Sequence, residues 1–191
     1  LMTHSPYPVV LDACVLYPSL LRGLLMELGL AGLYQPKWSS IIEEEWQRNL
    51  KANRPDLDPA NIERTAILMN RALPDAMVTG FEQLVAGVDL PDVDDRHVVA
   101  AAIRSNAELI VTFNLKDFPE QALDDFGVEA MHPDEFISDL FDLNQAMVLS
   151  AVARERSDMK RPPKTVDEYL DGLHQVLPQT VKELSKFRLL I

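Results

Sequence analysis

Between Asp95 and Phe118 the chain changes its hydrophobic period, and that change limits what it can fold into. If a helix starts near Asp95, then Val98, Val99, Ala102 and Ile103 fall at the +3, +4, +7 and +8 positions and make one apolar face. Asp95 heads that face, so an acid stands where a core begins. Glu108-Leu-Ile-Val-Thr-Phe113 then reads as a short apolar, β-branched run of the kind found in a buried parallel strand, with Asn114 and Asp117 in the loop beyond it. A helix feeding such a strand predicts an α/β layer. Ligands in open α/β sheets gather at the carboxyl ends of the strands, which puts a site at the Asn114 to Asp117 loop.

The same reasoning applies near the start of the chain. Val9-Val-Leu-Asp12 is a short buried strand ending in an acid. A phosphotransferase of the haloacid dehalogenase type needs a second aspartate two positions later, where this chain has Cys14, so that reading fails. Leucines at 20, 21, 24, 25 and 28 predict a core helix from Ser19 to Leu33, with Gly29 and Gly32 marking its end. Ser39 or Ser40 can cap a following helix whose apolar members are Ile41, Ile42, Trp46 and Leu50. Glu45 lies on that apolar side, whereas Glu43 and Glu44 belong to its border and to the solvated face. Asn61 opens a helix carrying Ile62, Ala66, Met69 and Leu73, and a short strand around Met77 and Val78 precedes a helical turn from Phe81 to Val85.

Composition sets the outer limits. The 191 residues, 47% apolar and 25% charged, suffice for one well-buried domain with an appendage. A formal net charge of −12 disfavours holding nucleic acid by a general positive field, so any such contact needs local basic patches or bound cations. Cys14 is the one cysteine, which excludes an internal disulfide and reads as a small buried hydrophobe in a reducing cytoplasm. No run approaches the ~18 apolar residues that span a bilayer, and no secretory pattern precedes Val9, so a cytoplasmic protein without membrane contact is expected. There is no fixed-period repeat, GxGxxG or Walker-type loop.

Asp12, Glu45, Asp95 and either Asp117 or Asn114 come from four separate elements, each at an element end or on a buried face. If they meet, two carboxylates 4 Å apart repel by ~4 kcal/mol at an effective dielectric near 20, and burial adds a desolvation cost. Such a cluster must take up protons or a cation. All-oxygen ligands in an incomplete shell suit Mg²⁺ or Mn²⁺, and a metal so placed can polarise a phosphodiester and activate water. Asp92 and Asp94 compete with Asp95, but Asp94 is displaced from the apolar face and reads as a loop or supporting acid. His97 points elsewhere, as a surface or satisfied histidine. The four histidines make no zinc-like pair, and Ser39 and Ser40 have no visible partner base.

These residues also resemble a family. Leu-Asp12 after an apolar strand, the SSIIEEEWQRNL helix with Glu45, DDRHVVAAAI with Asp95, and IVTFNLKDF look like the PIN domain, including VapC-type toxins of bacterial toxin–antitoxin pairs, over residues 8 to 135. The resemblance implies a three-layer α/β/α fold with a central parallel sheet, and a Mg²⁺- or Mn²⁺-dependent ribonuclease that leaves 5′-phosphate ends. It makes Asp12, Glu45 and Asp95 the first three metal-holding catalytic acids. Asn114 stands where many members carry the fourth; its amide can still bind metal or water, and Asp117 can supply the charge three residues later. The partners expected are an RNA substrate, an antitoxin protein and a second copy of the chain. A structure-selective DNA nuclease of related fold and a degenerate PIN-like module that binds RNA or protein are the competing readings.

The nuclease domain is expected over residues 8–141 and a helical extension over 142–191. Gly127 to Met131 adds a last strand, and His132-Pro-Asp-Glu opens a helix. Met147, Val148, Ala151 and Val152 form a helical stripe, and Thr165 to Glu168 makes a capping-box pattern ahead of Tyr169, Leu170 and Leu173. Arg154, Arg156, Lys160, Arg161 and Lys164 cluster against only Glu155 and Asp158, and are candidates for RNA-backbone contact or partner docking.

Overall fold

The structure, a computed structural model, describes residues 6–160 and 162–191. Strands β1 (Pro8–Leu11), β2 (Gln35–Ser39), β3 (Met77–Val78), β4 (Leu109–Val111) and β5 (Glu129–Met131) form one sheet in the order β3-β2-β1-β4-β5, with every pairing parallel. Val9, Val10 and Leu11 in the central strand are fully buried, as expected of a strand covered on both faces. The chain steps one way through β1, β2 and β3, then back across the sheet to β4 and β5. Right-handed crossovers therefore place α1 (Ala13–Leu16), α2 (Ser19–Leu30), α3 (Ser40–Asn53) and α4 (Pro59–Ala72) on one face. By the same rule α5 (Arg96–Ser105) and α6 (Glu120–Leu123) lie on the other, which gives three layers. The direction reverses between β1 and β4, and the crevice at a sheet's carboxyl edge opens at such a point.

Strand β2 departs from the sequence expectation. Gln35-Pro-Lys-Trp-Ser has no strand pattern of its own, yet it pairs with β1 and β3, and Trp38 is fully buried in it. Sheet pairing has overridden local preference. Ser39 ends the strand and caps α3, its hydroxyl accepting from the Ile42 N–H at 3.2 Å. Ile41 is exposed instead of sitting on the apolar face, and Ile42, Trp46 and Leu50 carry the packing. Glu43 is not simply solvated: Asn70 on α4 donates to it at 2.7 Å while accepting from the Trp38 indole N–H at 3.0 Å. Gly29 does more than end α2, because a Cβ there would lie 2.4 Å from Pro36 Cγ.

Beyond the sheet lie α7 (Pro133–Leu143), α8 (Gln145–Asp158), α9 (Val166–His174) and α10 (Pro178–Leu184). Residues 141 and 142 both fall inside α7, and Phe136, Leu140, Val152, Tyr169, Leu173 and Leu184 belong to the same hydrophobic cluster as the sheet. Asp134 in the first turn of α7 accepts from the Gln179 and Thr180 N–H groups, both at 2.8 Å, and so caps α10. The capping box at Thr165 and Glu168 is formed. No helix among the described residues is long and apolar enough to cross a membrane.

Helix α8 packs along α2 at Gly23, where an added Cβ would lie 2.4 Å from Glu155 Oε1. Glu155 is buried there; Tyr169 donates to its Oε2, while its Oε1 has no partner. Burial pushes this carboxyl up to about 8, with the nearby Glu27 adding to the rise and the Tyr169 bond opposing it. The folded state keeps a proton that the unfolded chain releases above the ordinary carboxyl range. Stability should therefore fall by up to ~1.4 kcal/mol per pH unit between about pH 4.5 and pH 8, and level off above that. In Glu155→Gln this component should vanish, which denaturant unfolding of both proteins at pH 5, 6.5 and 8 will show as a shallower pH slope.

Candidate active site

Parallel pairing of Leu11 with Val111 brings the ends of β1 and β4 side by side, so the next residues, Asp12 and Thr112, meet. The Thr112 hydroxyl donates to Asp12 Oδ2 at 2.7 Å, the Cys14 thiol donates to the same oxygen at 3.2 Å, and the Ala13 N–H donates to Oδ1 at 2.7 Å. Asp12 is only 5% exposed and serves as the N-cap of α1. Burial raises its pKa; Thr112, Cys14 and Ala13 pull it back down, and Glu45 pushes it up again. Cys14 is thus more than a hydrophobic filler. Burial and the neighbouring Asp12 push its thiol up to about 12, which keeps it a neutral donor. Thr112 is oriented in turn by the Asn114 N–H, 3.0 Å from its hydroxyl.

Glu45 projects from α3 and is half-buried, as its place on the apolar side predicts. Its Oε1 accepts a hydrogen bond from His97 Nε2 at 3.1 Å. His97 therefore does not point away from the site. The expectation failed because α5 is buried more widely than a single stripe: the sheet covers one side, and Val78 and Phe81 cover Ala100 and Ala101 on another. His97 is 6% exposed and its Nδ1 is buried without a partner.

Asp95 ends a 3-10 turn (Val93–Asp95) and occupies the N-cap of α5 without spending its side chain on a capping bond. Its carboxylate is left free. Burial pushes its pKa up to about 6, with further increments from Asp12, Asp92, Asp117 and Glu45 in that order. The acids of four separate segments therefore share one field. Asp117 is half-buried at the end of the 3-10 turn Leu115–Asp117, while Asn114 is exposed. Asp92 accepts from the Asp94 N–H at 2.9 Å and adds to the field on Asp95, and Asp94 is an exposed loop acid.

Among the described residues no three His, Cys, Asp or Glu side chains converge into a ready-made metal cage. Burial and the neighbouring acids raise both Asp12 and Asp95, so these two carboxyls gain from a proton or a cation nearby. That oxygen-only donor set fits a hard cation that keeps part of its hydration shell.

The basic cluster of the extension lies elsewhere. Arg154 pairs with Glu27 at 3.1 Å and bonds Ser150, and Arg156 donates to the Lys164 and Ile191 carbonyls at 2.9 and 3.1 Å. Those two side chains are committed within the fold. Lys160 and Lys164 border a surface hollow, and Arg161 lies outside the described residues.

Comparison with known proteins bears on the family of the chain. The sequence model described as PIN domain matches residues 8–116, and the one described as VapC50 C-terminal domain matches residues 133–186. The protein named "Putative ribonuclease VapC50" from Mycobacterium tuberculosis (strain ATCC 25618 / H37Rv) is 38% identical over 107 residues, 56% of this chain and 63% of that protein. The match therefore spans less than two thirds of that relative's length. No solved structure matches the chain.

Thr112 and Cys14 carry the main support of Asp12, and neither stands out in the sequence as a site residue. Thr112→Val removes the shorter of the two side-chain bonds while keeping the shape, leaving a buried carboxylate short of a donor. Denaturant unfolding should show a loss of ~1–3 kcal/mol at neutral pH.

Proposed function

The chain belongs to the PIN domain family, and from that premise we propose that it is a Mg²⁺- or Mn²⁺-dependent endoribonuclease, the toxin of a bacterial toxin–antitoxin pair, acting in the cytoplasm. The observation that carries this reading is the crowding of Asp12, Glu45, Asp95 and Asp117 at the carboxyl edge of the sheet, with Asp95 raised to about 6 by burial and by its neighbours. The similarity to a protein named "Putative ribonuclease VapC50" supports RNA over flapped DNA as the substrate.

In this reading Asp12, Glu45, Asp95 and Asp117 hold the cation, and the exposed Asn114 amide tunes its surroundings. A divalent cation held by these acids would offset their like charges and would supply Lewis-acid activation of the phosphodiester and of water. The rest is done by the chain. Thr112, Cys14 and the Ala13 N–H fix both oxygens of Asp12, and His97 holds one oxygen of Glu45, leaving the other to turn toward the cleft. Asp95, without a capping bond, keeps its carboxylate available to ligand or proton. The partners that follow are a single-stranded RNA and an antitoxin protein that covers the acidic cleft.

Purified Asp12→Asn and Asp95→Asn proteins should fold and lose RNA cleavage, and chelation should abolish cleavage by the unaltered chain; full activity in either variant refutes the assignment. Single-stranded RNA should be cut in preference to flapped DNA. Because Asp95 takes a proton near pH 6, calorimetric titration should show Mn²⁺ binding weakening progressively below that pH. In Thr112→Val the Mn²⁺ affinity should drop by ~10–100-fold, as for other supports of metal ligands.

A further inference from the structure

The route by which an RNA strand leaves the acid cleft can be traced from two adjoining hollows. The first, about 410 Å³, lies between the α1–α2 corner and helices α3 and α4, with Tyr17, Arg22 and Trp46 among its walls. The second, about 680 Å³, lies between the start of α2 and the α8–α9 connection, with Lys160 and Lys164 in its walls. Both contain Ser19, so they join there. Each is large enough for a nucleotide.

The first hollow is tied to the acids through two elements. Helix α1 is a single turn with Asp12 at its N-cap and Tyr17, in the wall of the hollow, at its C-cap ~7.5 Å further along the axis, and Trp46 directly follows Glu45 in α3. Arg22 carries the argument. Its Nη1 donates to the Leu16 and Tyr17 carbonyls at 2.6 and 3.2 Å, and its guanidinium carbon lies 4.8 Å from the centre of the Trp46 ring. No carboxylate among the described residues pairs with it, and its Nε and Nη2 have no protein partner. Burial brings its pKa down to about 10, as for a cation partly stripped of water with no carboxylate beside it. A half-buried guanidinium, held rigidly on an aromatic face with one edge free, matches a phosphate geometrically and electrostatically.

The second hollow continues the positive line. Lys160 and Lys164 form no ion pair among the described residues, and the opposing acids of the two hollows are Asp58 and Asp158. Arg54 also borders the first hollow, but Asp56 matches its charge. In a chain of net charge −12 this is a local reversal of sign that opens next to the acid cleft. Tyr17 offers an aromatic surface along the way, and backbone cations with an interleaved aromatic are how proteins hold single strands without reading sequence.

We propose that Arg22, Lys160 and Lys164 line a track for the phosphates of single-stranded RNA, running from the acid cleft over the α1–α2 corner to the C-terminal helices. This rests on the ribonuclease reading for its choice of ligand. The track gives the extension a direct part in substrate binding.

The test uses the full chain carrying Asp95→Asn, so that RNA is bound and not cut, with a short fluorescein-labelled single-stranded RNA followed by anisotropy across a range of KCl. Adding Arg22→Gln should reduce the slope of log affinity against log salt by ~0.7, and adding Lys160→Gln with Lys164→Gln should reduce it by ~1.4. The slope reports phosphate contacts and is unmoved by a smaller folded fraction, so a structural role for Arg22 does not imitate the result, and Lys160, which is exposed, and Lys164, which is half-buried, test the track outside the hydrophobic core. Unchanged slopes in both variants overturn the track. So does an oligoglutamate peptide that displaces the RNA and depends on Arg22 while the RNA slopes stay put, since the hollow would then take a protein. Cleavage by the unaltered chain separates the two readings: cutting with unchanged slopes refutes the track alone, whereas reduced slopes without cutting uphold the track and refute the nuclease.

Discussion

The pairing of β1 with β4 forces two chain ends together at the centre of the sheet, and the site depends on it. One residue beyond the pair, Asp12 and Thr112 share a hydrogen bond, and the loop that follows Thr112 carries Asn114 and Asp117. Helix α5 lies across β1 and β4 and brings Asp95 to the same edge. Each carboxylate added to this edge raises the cost of the others. Repulsion of ~4 kcal/mol between close pairs is comparable with the ~5–15 kcal/mol by which whole domains are stable. The cluster persists because donors are distributed unevenly. Asp12, the most buried acid, receives three; Glu45 receives one; Asp95, the most open to a ligand, receives none as a cap.

That uneven distribution explains what was legible in the sequence. Asp12 and Asp95 stand at the borders of apolar runs whose period reveals strand or helix, and Glu45 betrays itself by sharing a face with Ile42 and Trp46. Their supports give no such signal. A threonine inside Ile-Val-Thr-Phe looks like any β-branched strand residue, and a cysteine two positions after an acid looks like filler. His97 was misplaced because a stripe argument assumes one covered side, whereas α5 is covered on two. Strand β2 was invisible for a related reason. With a proline and a lysine in five residues it has no alternation to detect, and only its neighbours β1 and β3 make it a strand.

The extension shows the converse error. A run of positive residues suggests one basic surface, but the fold disperses them. Arg154 goes to Glu27, Arg156 donates to the Lys164 and Ile191 carbonyls, and Glu155 between them turns inward. Lys160 and Lys164 line a hollow that shares Ser19 with the one lined by Arg22, more than a hundred residues earlier in a helix rich in leucine. Charge proximity along the chain and charge proximity in space are different properties. An acidic protein can hold nucleic acid only where the second is arranged.

Helix α2 joins these features physically. Its first turn borders both hollows; Arg22 reaches back to the carbonyls at the end of α1; Gly23 admits Glu155; and Glu27 receives Arg154. Three of these contacts fall within six consecutive residues, and two of the three come from α8. The extension therefore packs directly against the element that carries Arg22. Since α1 both starts at Asp12 and ends at the carbonyls that Arg22 grips, a shift of α2 against α8 would move the guanidinium relative to the acids. Packing of the C-terminal helices against α2 thus bears on how far the Arg22 guanidinium lies from Asp12.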